Sequence, residues 1–182
     1  MTQTVTHSLD AKYYTDPEIF RIEQDGVLAR TWQFAVHSSQ LENAGDYIAF
    51  EMAGESLFCI KGRDGIIRTF YNVCQHRAHQ LVSGTGTTRV VVCPYHAWTY
   101  ELTGGLRAGP NINVVEGFDK SKICLTEVRT EIFLGFVFVN LDNDAKQMDD
   151  WFPNVRVELT QWVPHFETLK PLEWVAVPEH GN

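Results

Sequence analysis

Two short runs of this sequence concentrate its metal-binding chemistry. Cys74-Gln75-His76 is followed by sixteen residues and then by Cys93-Pro94-Tyr95-His96. Thiolate sulfur and imidazole nitrogen are good ligands for zinc and iron, and two of each make a four-ligand set. Two centres use such a set: a structural zinc ion, or a [2Fe–2S] cluster with both cysteines on one iron and both histidines on the other. Zinc modules keep like ligands together, as a close cysteine pair and a close histidine pair. Here each run supplies one of each. Two loops facing each other across a two-iron cluster would put Cys74 and Cys93 on one iron and His76 and His96 on the other. The outer nitrogen of each imidazole then faces solvent or a redox partner. A zinc-stabilised interaction module is the rival from the same residues.

The neighbouring residues suit loops that must turn. Ser83-Gly84-Thr85-Gly86 allows a sharp reversal between the two runs, Pro94 stiffens the second, and Trp98 is placed to shield the site. Arg77 is expected to tie the first loop to a carboxylate or carbonyl. His79 is either a hydrogen-bonding neighbour of the site or a surface residue. Cys59 and Cys124 open or occupy apolar segments and are expected to be free and buried.

The elements around these loops read as β-structure. Residues 47–50, 57–60, 66–71, 89–93, 98–102, 125–130 and 133–141 are short β-rich runs separated by turn residues, among them Ala53-Gly54 and Thr103-Gly104-Gly105. Before them, Thr15 with Glu18 reads as a capping box and Pro17 as a first-turn proline, opening a helix that runs to about Trp32. After them, Asp142, Asp144, Asp149 and Asp150 form an acidic connector, and Pro153 opens a short helix carrying Val155, Val157, Leu159 and Trp162. Residues 172–177 look like a strand that starts something new, since a strand needs sheet neighbours. The fold expected is mainly β with an N-terminal helix. Its parts are a disordered N-terminus over 1–12, a helix and lead-in over 13–44, small antiparallel sheets over 45–141, and a connector with the start of a truncated second domain over 142–182.

Charge and hydropathy exclude several classes. Fifteen Lys and Arg against 23 Asp and Glu give a net charge of -8, which argues against a nucleic-acid binder and favours a partner docking through a basic patch. The longest apolar run, residues 132–139, is broken by Gly135, whereas a membrane-spanning helix needs about 20 residues. Residues 1–12 lack the basic and apolar regions of a secretory signal. Four cysteines are too few for a disulfide scaffold, so a reducing cytoplasm is expected.

With these residues in view, YNVCQHRAHQLVSG and VVVCPYHAWTYELTG resemble the Rieske domain of ring-hydroxylating-type oxygenase α subunits. The likeness extends over residues 13–140, including Arg30-Thr31-Trp32 and the run 135–140. It implies a Rieske [2Fe–2S] fold with Cys74, His76, Cys93 and His96 as cluster ligands. It also implies a parent oxidoreductase in which a ferredoxin or flavin reductase passes NAD(P)H electrons to the cluster. From there they reach a mononuclear Fe(II) that activates O₂ to hydroxylate or N-demethylate a small organic substrate. In that family the relay crosses between subunits of a homotrimer, from the position of His96 to a carboxylate of the neighbour. Of the seven histidines, those after residue 141, His165 and His180, are too far apart to form the catalytic iron site. This chain is therefore expected to carry electrons and not to oxygenate. A free-standing Rieske ferredoxin is the alternative.

The family's commoner loops read CPHRG and CPYHGW, whereas this chain has Gln75, Ala78 and Ala97. An HRAH first loop with a CPYHAW second loop is similar to the branch that oxidises carnitine, betaine and stachydrine. Cytochrome bc-type relatives carry a disulfide at the positions of His79 and Tyr95, and a hydroxyl donor at that of Trp98. Without that donor, a potential near the low end of the Rieske span, roughly -150 mV, is expected.

Overall fold

A computed structural model describes residues 8–112, 114 and 116–172. Ten strands form two sheets: β1 Gln33–His37, β2 Asp46–Met52, β3 Glu55–Lys61, β4 Ile67–Tyr71, β5 Thr85–Thr87, β6 Val91–Val92, β7 Thr99–Tyr100, β8 Leu106–Ala108, β9 Glu127–Phe133 and β10 Phe136–Asn140. The large sheet has the order β1-β10-β9-β4-β3-β2-β5, the small one β6-β7-β8, and every neighbouring pair is antiparallel. The large sheet begins upstream of Gly45, because β1 pairs with β10.

Two hairpins are closed by two-residue turns whose central residues both have positive φ, Ala53-Gly54 between β2 and β3 and Leu134-Gly135 between β9 and β10. This is the geometry that matches the right-handed twist of paired strands. A Cβ on Gly135 would lie 2.9 Å from His37 Nε2, so close approach as well as φ requires glycine there.

Helices flank the strands. Lys12–Thr15 is one turn (α1), and Pro17–Gly26 is the leading helix (α2). Its N-cap is Asp16, whose side chain accepts from Glu18 N, not Thr15 as expected; Thr15 already ends α1. The helix stops at Gly26, short of Trp32, and a 3₁₀ turn Leu28–Arg30 leads into β1. No residue of α2 is buried. Met148–Trp151 (α3) and Val155–Trp162 (α4) follow β10, and α4 is the helix expected after Pro153. Among the described residues no helix is long and apolar enough to cross a membrane. The strand expected at 172–177 lies outside the described residues but for Leu172.

The core beneath the two Cys-His loops is built from Phe58, Ile60, Phe70, Tyr100, Leu106 and Leu125, and includes both Cys74 and Cys93. Each loop is folded on the same frame. In the first, Cys74 N donates to His79 O (2.9 Å) and Ala78 N to Cys74 O (2.9 Å); in the second, Cys93 N donates to Trp98 O (2.8 Å) and Ala97 N to Cys93 O (3.0 Å). Each frame needs a left-handed residue at its fourth step, and this chain puts alanine there: φ is +53° at Ala78 and +56° at Ala97.

The bases of the loops are closed differently. The second sits on the β6–β7 ladder. The first leans on one buried side chain, Asn72. Its Oδ1 accepts from Leu81 N (3.1 Å) and Val82 N (3.0 Å), while Nδ2 donates to Val82 O (2.8 Å) and Ser56 Oγ (3.3 Å).

A left-handed non-glycine residue costs about 1–2 kcal/mol. Ala78→Gly and Ala97→Gly should therefore each raise stability in urea denaturation by about 1 kcal/mol after glycine's own entropy cost; a loss of stability in both would refute the strain. Asn72→Ala strands two buried amides and should cost about 3 kcal/mol; a change within 0.5 kcal/mol, roughly the noise of a surface substitution, would refute the closing role.

Candidate metal centre

The two loops place their imidazoles in contact and their thiols in one buried cluster. Cys74 and Cys93 are each only 2% exposed, and neither is in a disulfide. The rings of His76 and His96 meet edge to face, with centroids 4.8 Å apart. His76 stands exposed at its tip, while His96 is half-buried. His96 Nδ1 is enclosed and has no hydrogen-bond partner. Burial first, and then the charges of His76, Arg77 and His79, hold the His96 pKa below its ordinary value. That shift favours the neutral ring, the form that binds a metal.

A buried imidazole nitrogen without a partner costs about 1–3 kcal/mol, so its retention points to a ligand. Two buried, unjoined thiols beside it supply sulfur donors. The two imidazoles touch and both thiols lie in one buried cluster, with one cysteine and one histidine from each loop, a donor set of the kind that a two-iron centre uses. The donor set therefore fits a [2Fe–2S] cluster.

Aromatic rings clamp both imidazoles. Trp98 stacks on His76, with centroids 4.7 Å apart and planes 11° from parallel. Gly109 makes room for it, since a Cβ there would come within 2.8 Å of the indole. Tyr95 lies on His96 at 3.7 Å, and His79 of the first loop reaches Tyr95 at 5.5 Å. His79 is exposed and its Nδ1 lies 2.6 Å from Gln80 O. It is thus a surface residue that also bridges the two loops.

Sequence reasoning missed Tyr100. This residue is fully buried on β7; its hydroxyl accepts from Gln75 N (3.0 Å) and lies 3.2 Å from Cys74 Sγ. With its acceptor side taken by the amide, the hydroxyl proton is free to point at the sulfur. Burial, reinforced by Cys74, pushes the Tyr100 pKa up, so it stays a donor. Read along the strand, Tyr100 looks like an ordinary inward β residue; only its position two residues past Trp98 in a ligand-bearing hairpin marked it. A hydroxyl within hydrogen-bond reach of the Cys74 sulfur is therefore present despite Trp98.

Other expectations divide. Cys59 is buried, and burial pushes its thiol up to about 12, so it is inert. Cys124 is exposed, against expectation, because the chain at this point runs along the sheet edge, with only an isolated bridge to Gly105. Arg77 makes no hydrogen bond or ion pair within the described residues and projects into solvent, so it does not tie the loop as expected.

Comparisons with known proteins agree with this site. Residues 31–119 match the Rieske [2Fe–2S] domain family. The carnitine monooxygenase oxygenase subunit of Escherichia coli (strain K12) is 42% identical over 164 residues, 90% of this chain and 44% of that subunit. The glycine betaine monooxygenase oxygenase subunit of Chromohalobacter salexigens is 33% identical over 80% of this chain and 33% of its own length. The crystal structure of the apo form of a quaternary ammonium Rieske monooxygenase superposes with a TM-score of 0.82 at 37% identity, covering 88% of this chain and 47% of that one. The chain thus spans less than half the length of these relatives. Two matched loops on two antiparallel sheets thus form a Rieske [2Fe–2S] domain over residues 31–119, and similarity to oxygenase subunits runs past it into residues both before and after.

Proposed function

We propose that this chain is the electron-transfer portion of a terminal oxygenase, with Cys74 and Cys93 holding one iron and His76 and His96 the other. The observation that carries the reading is the enclosed, partnerless Nδ1 of His96 beside two buried thiols on loops of one design. A [2Fe–2S] cluster so held takes up and gives out one electron at a time. The chain's own residues do the rest. Trp98 and Tyr95 fix the ring planes of the two imidazoles, the core under the loops keeps water from the sulfurs, and Tyr100 donates to Cys74.

In the whole enzyme, electrons from NAD(P)H arrive through a ferredoxin or flavin reductase. The imidazole edge of His76 and His96 would be their exit toward a mononuclear non-haem iron, across a subunit boundary of a homotrimer, and that iron would supply O₂ activation. There O₂-dependent hydroxylation or N-demethylation of a quaternary ammonium substrate takes place. Similarity over 90% of the chain, well outside 31–119, supports an oxygenase subunit over a free-standing ferredoxin. The names of the relatives support the substrate class.

Anaerobic reconstitution of the purified chain should give a coloured protein with two irons and acid-labile sulfide, and a paramagnetic signal after dithionite. One zinc and no colour would overturn the reading. Cys74→Ser should abolish colour and signal, since ligation and loop folding are coupled; a full visible spectrum in that variant would remove the ligand assignment. Tyr100→Phe should keep the spectrum. It should lower the midpoint potential by on the order of 60 mV, one hydrogen bond's worth in a one-electron couple, because donation to sulfur favours the reduced, more negative state. An unchanged midpoint would show that the hydroxyl does not act on the sulfur.

A further inference from the structure

The two loop tips meet through rings. Among the described residues no hydrogen bond or ion pair joins residues 75–80 to residues 94–98. Three ring contacts cross between them instead: His76 on His96, His76 on Trp98, and His79 on Tyr95. The first two are made by a proposed ligand of the first loop. In the third, neither ring belongs to a ligand. His79 also lines a cleft of about 470 Å³ between the loops, with Leu81, Val82, Val92 and Pro94. On that flank the loops are held apart, and the His79–Tyr95 contact spans them.

The two rings of that contact are held very differently. His79 is tied to its own loop at both ends. Its carbonyl accepts from Cys74 N (2.9 Å), and its Nδ1 lies 2.6 Å from Gln80 O. A carbonyl only accepts, so Nδ1 carries the proton and donates. Gln80 in turn pairs with Val73 in the bridge that closes the first loop. Tyr95 has no such tether. It is 55% exposed, and its hydroxyl has no hydrogen-bond partner among the described residues. What orients it is ring contact alone: His96 at 3.7 Å and His79 at 5.5 Å, each with planes 37° apart. Aromatic pairs of this kind favour particular relative orientations.

We propose that His79 is a positioning residue for His96, and that it acts through Tyr95. The inference rests on the proposed function, in which His96 is a ligand, and adds a residue that neither touches the metal nor lies on the same loop. The bracing is reciprocal. Trp98 of the second loop stacks on His76 of the first. His79 of the first loop steadies the ring that covers His96 of the second. Each imidazole is thus oriented from the opposite loop, and a shift of either tip turns the ring held on the other. Partners of this kind outside the ligand set fix the orientation of a ligand and tune its metal.

The test separates the ring of His79 from its hydrogen bond. His79→Phe keeps a ring against Tyr95 and gives up the bond to Gln80 O. His79→Asn keeps a donor and gives up the ring, and His79→Ala loses both. In the cluster-loaded chain, bleaching of the visible spectrum by EDTA should run about fivefold faster in His79→Ala and His79→Asn, the factor expected from one lost aromatic pair. In His79→Phe it should stay near the wild-type rate. Pulsed paramagnetic resonance of the dithionite-reduced chain should show imidazole nitrogen signals altered in the Ala and Asn variants and restored in the Phe variant. Apart from any cluster, a double-mutant cycle of His79→Ala and Tyr95→Ala in urea should be non-additive by about fivefold in the unfolding constant. Additive effects overturn the contact. A loaded chain whose bleaching and signals are unchanged in His79→Ala, or rescued by Asn and not by Phe, overturns the positioning role while leaving the cluster reading intact. A chain that takes up no cluster overturns both.

Discussion

The constraint that shapes this fold is that two loops carry two buried thiols and two touching imidazoles above an interior that penalises unpaired polar atoms. His96 Nδ1 shows the penalty directly, enclosed and without a protein partner. Ala78 and Ala97 show a second one, since each loop closes only through a left-handed residue. Strain of this kind persists where surrounding structure over-determines it. Here the determinants are the paired amide–carbonyl bonds of each loop and an apolar floor of Phe58, Phe70, Leu106 and Leu125 that reaches up to both cysteines.

The two sheets divide this labour. The large sheet anchors the first loop after β4 and contributes most of the floor; the small sheet exists largely to carry the second loop and its aromatic clamp. Trp98, His76, His96, Tyr95 and His79 then form one run of rings across both tips. Ring orientation at the imidazoles is thus set by neighbours on the second loop, and the first loop is drawn in through His79.

The loops were legible because cysteine and histidine at fixed spacing have few other uses, and the strands around them because alternation and turn residues repeat. Asp16 displaced Thr15 as the helix cap because a separate turn, α1, consumed Thr15 first, which pattern alone does not show. β1 was missed because Gln33–His37 is short and half-exposed, and becomes a strand only through pairing with β10, about a hundred residues away in sequence. Tyr100 was missed for a similar reason: its reach to Gln75 N and the Cys74 sulfur depends on which residues the fold makes neighbours. Cys124 looked buried from its apolar company, but beside an isolated bridge the residue stays exposed, its sulfur resting against Thr103 O.

The unequal footing of the two loops gives the centre a weak side and a strong side. One tip is backed by a ladder of strand bonds, the other by a single bridge between Val73 and Gln80 and by the amide of Asn72. Thermal breathing should thus start where Cys74 and His76 stand, exposing one sulfur and one nitrogen together. Oxidants and chelators would then dismantle both metal positions from a single flank, and repair would need only that flank to close again.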